Sequence, residues 1–383
     1  MNLFADHLPL SLYIHIPWCI QKCPYCDFNS HALTQPLAED RYVDALLQDF
    51  KAHLSDIAEQ CFVSVFFGGG TPSLFSPKAI GRILNGIDHH MPFSKTTEIT
   101  LEANPGTIDE KHFAGFKQAG INRLSIGIQS LQNDKLKTLG RIHDRKQALR
   151  AIDIAKNAGF DNFNLDLMHG LPEQTAEDAL QDLSDALNTN PTHLSWYQLT
   201  IEPNTAFHHQ PPTLPPENIL HAIQNQGEQI LRENGFERYE ISAWSKPNRQ
   251  CVHNNNYWQF GDYLGIGAGA HSKITDTKKQ IITRYMKWKH PKEYLNPDKN
   301  FIAQKTIVPH TELPFEFMLN ALRLIDGVPA NIFTEHTGLH LESIAPLLEK
   351  ARAKKLLNED NKIICPTTLG HQFLNDLTEI FMS

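Results

Sequence analysis

Several features are absent from or scarce in the 383-residue sequence, and each absence excludes a class of protein. No run of about 18 apolar residues occurs, so the sequence predicts no membrane-spanning helix. The opening residues MNLFADHLPL lack the basic start and apolar stretch of a secretory signal, so we expect a cytoplasmic protein. Lys and Arg number 35 against 43 Asp and Glu, and this net charge of -8 argues against nucleic acid as a partner.

Cysteine is also scarce, but its distribution is informative. The chain has 6 cysteines, and three of them lie close together in YIHIPWCIQKCPYCDFNSH, at Cys19, Cys23 and Cys26. In a reducing compartment such a group indicates a metal or redox site more than a disulfide framework. The other cysteines are scattered and are expected to be unpaired: Cys61, Cys251 and Cys365.

The first half of the chain repeats one scheme, a short β-branched or aromatic run followed by a polar turn and an amphipathic stretch. The runs predict strands at 12–17, 62–67, 97–102, 123–128, 162–167 and 194–201. The stretches between them predict helices at 37–60, 77–90, 134–158 and 176–187. Since polar or glycine-rich residues follow every strand, an α/β fold with a partial TIM-type (β/α)6 barrel is favoured over an open sheet.

The remaining sequence predicts the domain organisation. The barrel is expected to span residues 1–235, with a proline-rich loop (202–217) over its mouth and one more helix at 218–234. A connecting region, 236–305, contains the motif HNNNYW. Residues 306–383 return to a helical pattern that predicts a mainly helical, winged-helix-like domain.

The CxxxCxxC loop suits iron–sulfur chemistry. Three thiolates on one loop can hold three irons of a [4Fe-4S] cluster and leave the fourth iron without a protein ligand. An open coordination position is what a metal needs in order to bind a substrate or cosubstrate directly. A zinc site is the alternative, although zinc usually takes four ligands and would need a distant partner.

With the aromatic Tyr25 before its last cysteine, this loop resembles that of the radical SAM superfamily, and the resemblance covers residues 11 to 235. It implies that S-adenosylmethionine (SAM) binds the open iron and is cleaved to methionine and a 5'-deoxyadenosyl radical. GGGTP after the second strand resembles the superfamily's glycine-rich element, and Glu102 suits the ribose hydroxyls. The resemblance implies a SAM pocket formed by Gly69, Gly70, Thr71, Glu102, Gln129, Arg141 and Asp166; taken singly, the glycines also suit a tight turn and Arg141 a salt bridge.

Over nearly the whole chain, YIHIPWC, FGGGTPS, LEANPG, LSIGIQS, LGRIH, NFNLDLMHGLP and HNNNYW resemble the oxygen-independent coproporphyrinogen III oxidase family. Within it the sequence is most similar to the HemW branch, regarded as haem chaperones. This resemblance implies that Tyr13 contacts SAM and that haem passes to an acceptor protein, with respiratory or membrane-associated proteins among the candidates. Monomer and homodimer both stay open.

Two departures from the oxidases of this family bear on activity. Oxidases have a further cysteine where this chain has Phe28, and they have a longer segment than the 18 residues that precede Cys19 here. Oxidative decarboxylation of coproporphyrinogen III to protoporphyrinogen IX is therefore the alternative function and a haem chaperone the preferred one.

Haem is expected at CVHNNNYW, where His253 offers an imidazole ligand beside Tyr257 and Trp258. Cys251 is an alternative ligand, and the adjacent pair His208 and His209 is a second choice.

A third functional class is DNA binding by the C-terminal domain, whose basic residues are Lys350, Arg352, Lys354 and Lys355. Such a run is usually a solvated helix face, and the overall acidity argues against this class.

Overall fold

The computed structural model describes residues 3–57, 60–107 and 110–382. Within these ranges the strands are β1 (Leu10–Ile16), β2 (Trp18–Cys19), β3 (His31–Ala32), β4 (Phe62–Gly69), β5 (Glu98–Ala103), β6 (Arg123–Gln129), β7 (Phe163–His169), β8 (His193–Gln198), β9 (Glu237–Glu240), β10 (Ala243–Ser245), β11 (Asp262–Ile266), β12 (His271–Asp276), β13 (Ile281–Lys287), β14 (Ile302–Ile307), β15 (Val328–Pro329) and β16 (Ile363–Ile364). The α-helices are α1 (Glu39–Ala52), α2 (Pro77–Asp88), α3 (Glu110–Ala119), α4 (Asn133–Thr138), α5 (Arg145–Asn157), α6 (Ala176–Leu187), α7 (Ala206–His209), α8 (Glu217–Glu233), α9 (Val252–Trp258), α10 (Pro291–Tyr294), α11 (Leu313–Ala321), α12 (Ala330–Thr337), α13 (Ala345–Ala353), α14 (Thr368–Gln372) and α15 (Leu374–Glu379).

One large sheet organises the molecule, in the order β14-β13-β12-β11-β1-β4-β5-β6-β7-β8-β10-β9. The strands from β11 to β8 in this order are parallel, and the others are antiparallel. The six predicted strands are β1 and β4 to β8, so the α/β class and the order of the repeated units are confirmed. The structure adds β11 as a further parallel strand.

Most residues of the parallel strands alternate between an apolar and a polar side. Since successive side chains of a strand point to opposite faces, one set packs against the surrounding helices. That set is apolar and fully or nearly fully buried, and includes Leu12, Val65, Leu101, Ile126, Leu165 and Leu194. The other set faces the barrel interior. Hydrogen bonds between strands link Ser11 to Ser64 and join Ser125, Asn164 and His193, and the buried Glu98 lies on the same face.

Residues 236–305 do more than connect two domains. They supply β9 and β10 at one end of the sheet, and β11, β12, β13 and the first part of β14 at the other end. A fully buried ion pair between Lys287 and Asp49 joins β13 to α1, and the Tyr294 hydroxyl donates to the same carboxylate at 2.8 Å. The division at 235 and 305 stays a prediction. The sheet is continuous across the first boundary, and the second boundary falls inside β14.

Two predicted helices differ from the observed ones. The helix predicted at 37–60 ends at Ala52, and the prediction for residues 58 and 59 lies outside the described part of the chain. The helix predicted at 134–158 is divided into α4 and α5. Gly140 has a φ of 67° after α4, and Asp144 begins α5 with a capping box that includes Gln147.

The C-terminal residues have a second hydrophobic core, which contains Phe317, Phe333, Leu348, Leu377 and Phe381. Strands β15 and β16 pair antiparallel beside it, as in a small wing. Among the described helices, none is both long and apolar enough to cross a membrane.

Candidate functional site

A cavity of about 440 Å³ opens at the carboxyl ends of the parallel strands. This is the edge where (β/α) barrels place their functional residues. The residues predicted from the sequence that line it are Cys19, Cys23, Tyr25, Cys26, Gly69, Gly70, Thr71, Glu102, Gln129, Arg141 and Asp166. The fold therefore brings together residues in or just after β4, β5, β6 and β7, the segment between α4 and α5, and the cysteine loop.

Cys19 ends β2, Cys23 and Cys26 lie on the loop between β2 and β3, and all three are free thiols. The Thr71 hydroxyl donates to Cys19 Sγ at 3.5 Å, and Ser30 Oγ lies 3.8 Å from Cys26 Sγ. Burial raises the pKa of the Cys19 and Cys26 thiols. In the ranges that the structure covers, no three His, Cys, Asp or Glu side chains are grouped to hold a single metal ion.

Arg141 connects the cysteine loop to the barrel wall. Its Nη1 donates to Cys23 Sγ and to the Tyr25 hydroxyl, each at 3.5 Å, and its Nη2 donates to the Gly127 carbonyl at 2.8 Å. Its Nε is buried and has no hydrogen-bond partner among the described residues. A buried cation with an unused donor beside three thiols suits an anionic group bound in this cavity.

The glycine-rich turn after β4 packs tightly against both flanks of the cysteine loop. Gly69 has a φ of 111°, and a Cβ there would lie 2.5 Å from Cε1 of His15. A Cβ at Gly70 would lie 2.5 Å from the Trp18 carbonyl oxygen. His15 Nε2 is 2.8 Å from the carbonyl of Asn29, just beyond the cysteines. These glycines are thus required by close packing as well as by backbone conformation.

Replacing Gly69 by alanine is expected to lower the free energy of unfolding by about 2 to 4 kcal/mol, since the new methyl group meets the His15 ring at a positive φ. Gly159→Ala is the matched control, because Gly159 also has a positive φ (84°) but no atom within 4 Å of its Cβ position. We expect the control to lose only about 1 kcal/mol. Equal losses in urea unfolding would show that the contact with His15 is unimportant.

Two carboxylates lie on the wall of the cavity. Glu102 Oε2 accepts the backbone N–H of Gly69 at 3.2 Å. Burial, and secondarily the charge of Asp166, raises the pKa of Glu102 to about 8. Burial also raises the pKa of Asp166, while hydrogen bonds from Asn164, Ser195 and Ser125 oppose that shift. The cavity therefore holds two acceptors whose ionised forms are poorly solvated.

The raised pKa of Glu102 predicts a pH-dependent stability of the cofactor-free protein. Between pH 4.5 and about 8 the folded state keeps a proton that the unfolded chain releases, so stability falls as the pH rises. Glu102→Gln keeps the acceptor for Gly69 and removes the titration. We expect it to unfold like the wild type near pH 4 and to be more stable by on the order of 1 kcal/mol near pH 9. Denaturant melts at both pH values measure this, and equal stability near pH 9 would contradict it.

Gln129 and Tyr13 complete the predicted set on this side of the barrel. Gln129 adopts a positive φ of 63° and accepts a hydrogen bond from the Tyr197 hydroxyl at 2.9 Å. Tyr13 lies deeper than the cavity lining, where its hydroxyl is 3.2 Å from His15 Nδ1 and its ring stacks on Phe66.

His253 lies apart from the cavity, near the amino ends of the strands. Its Nδ1 is 3.1 Å from Ser64 Oγ, and its ring packs on Phe66 with centroids 4.9 Å apart. Cys251 is buried, and its thiol donates to Glu98 at 3.5 Å. The adjacent pair at 208 and 209 lies exposed on α7. His253 and Cys251 are therefore separated from the cysteine loop, whereas α7 contacts it: the Phe207 N–H donates to the Pro24 carbonyl at 2.9 Å, and the Phe207 ring packs against Tyr25.

Sequence reasoning missed several cavity and interior residues, namely His15, Ser125, Asn164, His193 and Tyr197. The available signal was the polar residue at every second position of strands whose alternate positions are strongly apolar, as in RLSIGIQ and FNLDLMH. A parallel strand covered by helices is usually apolar on both faces, so this alternation indicates a polar interior.

Comparisons with known proteins agree with this arrangement. Residues 13–186 match the model of the radical SAM superfamily, and residues 308–373 match that of the HemN C-terminal domain. The solved structure of coproporphyrinogen III oxidase (HemN) from Escherichia coli superposes with a TM-score of 0.82 at 23% identity, covering 98% of this chain and 91% of that one. At that identity the likeness shows the fold alone.

Sequence relatives are much closer. Heme chaperone HemW of Haemophilus influenzae is 48% identical over 379 residues, and the protein of the same name from Escherichia coli is 48% identical over 375; each match covers 98% of both chains. Heme chaperone HemW of Bacillus subtilis is 32% identical over 97% of this chain and 99% of its own. These full-length relatives show that the chain belongs to the HemW family of radical SAM proteins.

Proposed function

We propose that the protein is a haem chaperone, which binds haem and transfers it to an acceptor protein. The observation that carries this proposal is the 48% identity, over 98% of both chains, to proteins that are named heme chaperones. Such extensive similarity includes the barrel, the HNNNYW segment and the C-terminal domain. Phe28, in place of the further cysteine of the oxidases, is 59% exposed at the cavity and supplies no thiol there.

The family implies a [4Fe-4S] cluster and SAM, and the cavity suits both groups. We assign the cluster to Cys19, Cys23 and Cys26, because soft thiolates are the preferred ligands of iron in such clusters. The unused Nε of Arg141 and the two carboxylates suit the charged and hydroxyl groups of SAM. The contacts of SAM are assigned to residues that line the cavity: Tyr25, Gly69, Gly70, Thr71, Glu102, Gln129, Arg141 and Asp166. Tyr13 lies behind this lining, and its predicted contact with SAM stays a prediction. When bound, the cluster supplies electron transfer and an iron with an open coordination position.

We assign haem to the HNNNYW segment, with His253 as the proposed iron ligand. In the described conformation Ser64 Oγ lies within hydrogen-bonding distance of Nδ1 of this histidine, and the Phe66 ring packs on the imidazole ring. Because the ring packs against Phe66 and Tyr13, we expect α9 to move relative to the barrel when His253 ligates haem. Tyr257 lies on the same helix and is 36% exposed, so its ring offers an aromatic surface on which a porphyrin can pack.

His253→Ala is expected to change the Soret spectrum of the haem complex and to weaken haem binding by at least about ten-fold, since an axial ligand is lost. The matched control is His221→Ala, because His221 lies on an exposed side of α8 with its side chain 65% exposed. Unchanged spectra and stoichiometry in His253→Ala would remove this ligand assignment and direct attention to Cys251.

The experiment that tests the function compares transfer with catalysis. The protein is reconstituted anaerobically, loaded with haem and mixed with candidate apo-acceptors; separately it is given SAM, a reductant and coproporphyrinogen III. We expect haem to appear in an acceptor, and no vinyl product to form over many turnovers. Catalytic formation of protoporphyrinogen IX with 5'-deoxyadenosine would instead make the protein an oxidase. We further expect a cytoplasmic location, an acceptor among respiratory or membrane-associated proteins, and a monomeric or homodimeric state.

A further inference from the structure

A continuous row of hydrogen-bonded side chains runs through the barrel interior, from the cavity to the start of α9. We call it the interior relay; its members are Asp166, Asn164, His193, Tyr239 and Cys251. Asp166 lines the cavity, and its Oδ1 accepts from Asn164 Nδ2 at 2.7 Å. Asn164 Oδ1 lies 2.7 Å from His193 Nδ1, and His193 Nε2 lies 2.9 Å from the Tyr239 hydroxyl. The backbone N–H of Cys251 donates to that hydroxyl at 3.4 Å.

The hydrogen bonds of the interior relay all point the same way. Asn164 Oδ1 is an acceptor, because the backbone N–H of Ser195 also donates to it at 2.8 Å. His193 Nδ1 must therefore carry the proton, and burial keeps the ring neutral by lowering its pKa well below the usual value. Its Nε2 then accepts from Tyr239. Each donor points towards Asp166, so a change at that carboxylate alters every bond in turn.

The far end of the interior relay is where α9 is attached to the barrel. Glu98 Oε1 accepts from the backbone N–H groups of Val252 and His253, at 3.0 and 3.3 Å, and from the Cys251 thiol. Arg123 lies between the two ends: it is 2% exposed, its Nε is 3.8 Å from Glu98, and its charge also acts on Asp166. The buried charge of Arg123 thus acts both on Glu98, which holds the helix, and on the cavity carboxylate Asp166.

We infer that the interior relay couples the cavity to α9, so that SAM binding holds α9 against the barrel and weakens haem binding at His253. A ligand that orders Asp166 also orders the groups bonded to it, and the attached helix then opens less often. In the closed position His253 is engaged by Ser64 and covered by Phe66. SAM would accordingly act as an effector that promotes haem release. The haem part of this coupling rests on the proposed function, whereas the response of α9 to SAM does not.

Amide hydrogen exchange of residues 251–258 in the cluster-reconstituted protein, with and without SAM, tests the coupling. We expect SAM to slow this exchange by at least about five-fold in the wild type and by less than about two-fold in Tyr239→Phe. Tyr294→Phe is the matched control, because it also loses a buried hydroxyl with two hydrogen bonds, but on the far side of the sheet at Asp49. The control should respond like the wild type.

Two results would overturn the inference: no slowing in the wild type although SAM binds, or equal slowing in the wild type and Tyr239→Phe. If Tyr239→Phe does not accumulate as folded protein, His193→Gln interrupts the interior relay one bond nearer to Asp166. Haem titration of the same proteins then separates the two proposals. The coupling is supported if SAM weakens haem binding by about five-fold in the wild type but not in Tyr239→Phe. If no protein binds haem although SAM still slows the exchange, only the haem function is defeated.

Discussion

Replacing Cys23 by serine is expected to reduce the iron bound after anaerobic reconstitution from about four atoms per chain to less than about one. Cys23 is the middle ligand of the assigned cluster, and its sulfur also accepts a hydrogen bond from Arg141 at 3.5 Å. Serine is a poor iron ligand, because its hydroxyl is hard and remains protonated near neutral pH. Iron and acid-labile sulfide analyses, with the visible spectrum, measure the effect.

Cys61→Ser is the control for this experiment. Cys61 is a free, exposed cysteine outside the cavity, so its removal tests whether iron binds to thiols indiscriminately. We expect Cys61→Ser to retain the iron and sulfide of the wild type. If Cys23→Ser retained them too, the cluster would have to be held elsewhere and the cavity assignment would be wrong.

Asp49→Ala is expected to lower the free energy of unfolding by about 3 to 5 kcal/mol, because it leaves Lys287 as an unpaired buried charge. Both side chains of this pair are 0% exposed. The same carboxylate accepts from the Tyr294 hydroxyl and from the Gly267 N–H, at 2.8 and 3.2 Å. Denaturant unfolding at neutral pH measures the loss.

An exposed ion pair provides the comparison for Asp49. Asp44, on the same helix, bonds Arg82 at 2.6 Å, but the two side chains are 60% and 37% exposed. We expect Asp44→Ala to cost less than about 1 kcal/mol, since water solvates the remaining charge. Similar losses in the two variants would mean that burial of Lys287 is not what makes its pair important. A large loss in Asp49→Ala alone would show that residues 236–305 stabilise the barrel itself.

The polar interior illustrates how far local patterns reach. The alternation of apolar and polar residues in FNLDLMH can be recognised in the sequence, and it places Asn164 and Asp166 on one face of β7. No local pattern states that this face meets His193 of β8 and Tyr239 of β9. These contacts depend on strand order and register, which long-range packing decides.

The burial of His253 is a second feature that the local sequence does not reveal. The motif HNNNYW predicts a haem ligand, but in the fold its histidine packs against Ser64, Phe66 and Tyr13. The side chain is placed there because α9 packs beneath β1 and β4, and Glu98 holds its first backbone N–H groups. Burial of a particular helical residue depends on its neighbours in space, which the motif does not specify.

By itself the sequence determined the repeated strand and helix units, the cysteine loop and the residues at the strand ends. All of these depend on spacing along the chain and on the shared carboxyl edge of parallel strands. Only the tertiary structure decided that residues 236–305 complete the sheet, that Lys287 pairs with Asp49, and that Asp166 is linked to α9. Those features join residues far apart in the chain, and their energies come from desolvation and hydrogen bonding that exist only after packing.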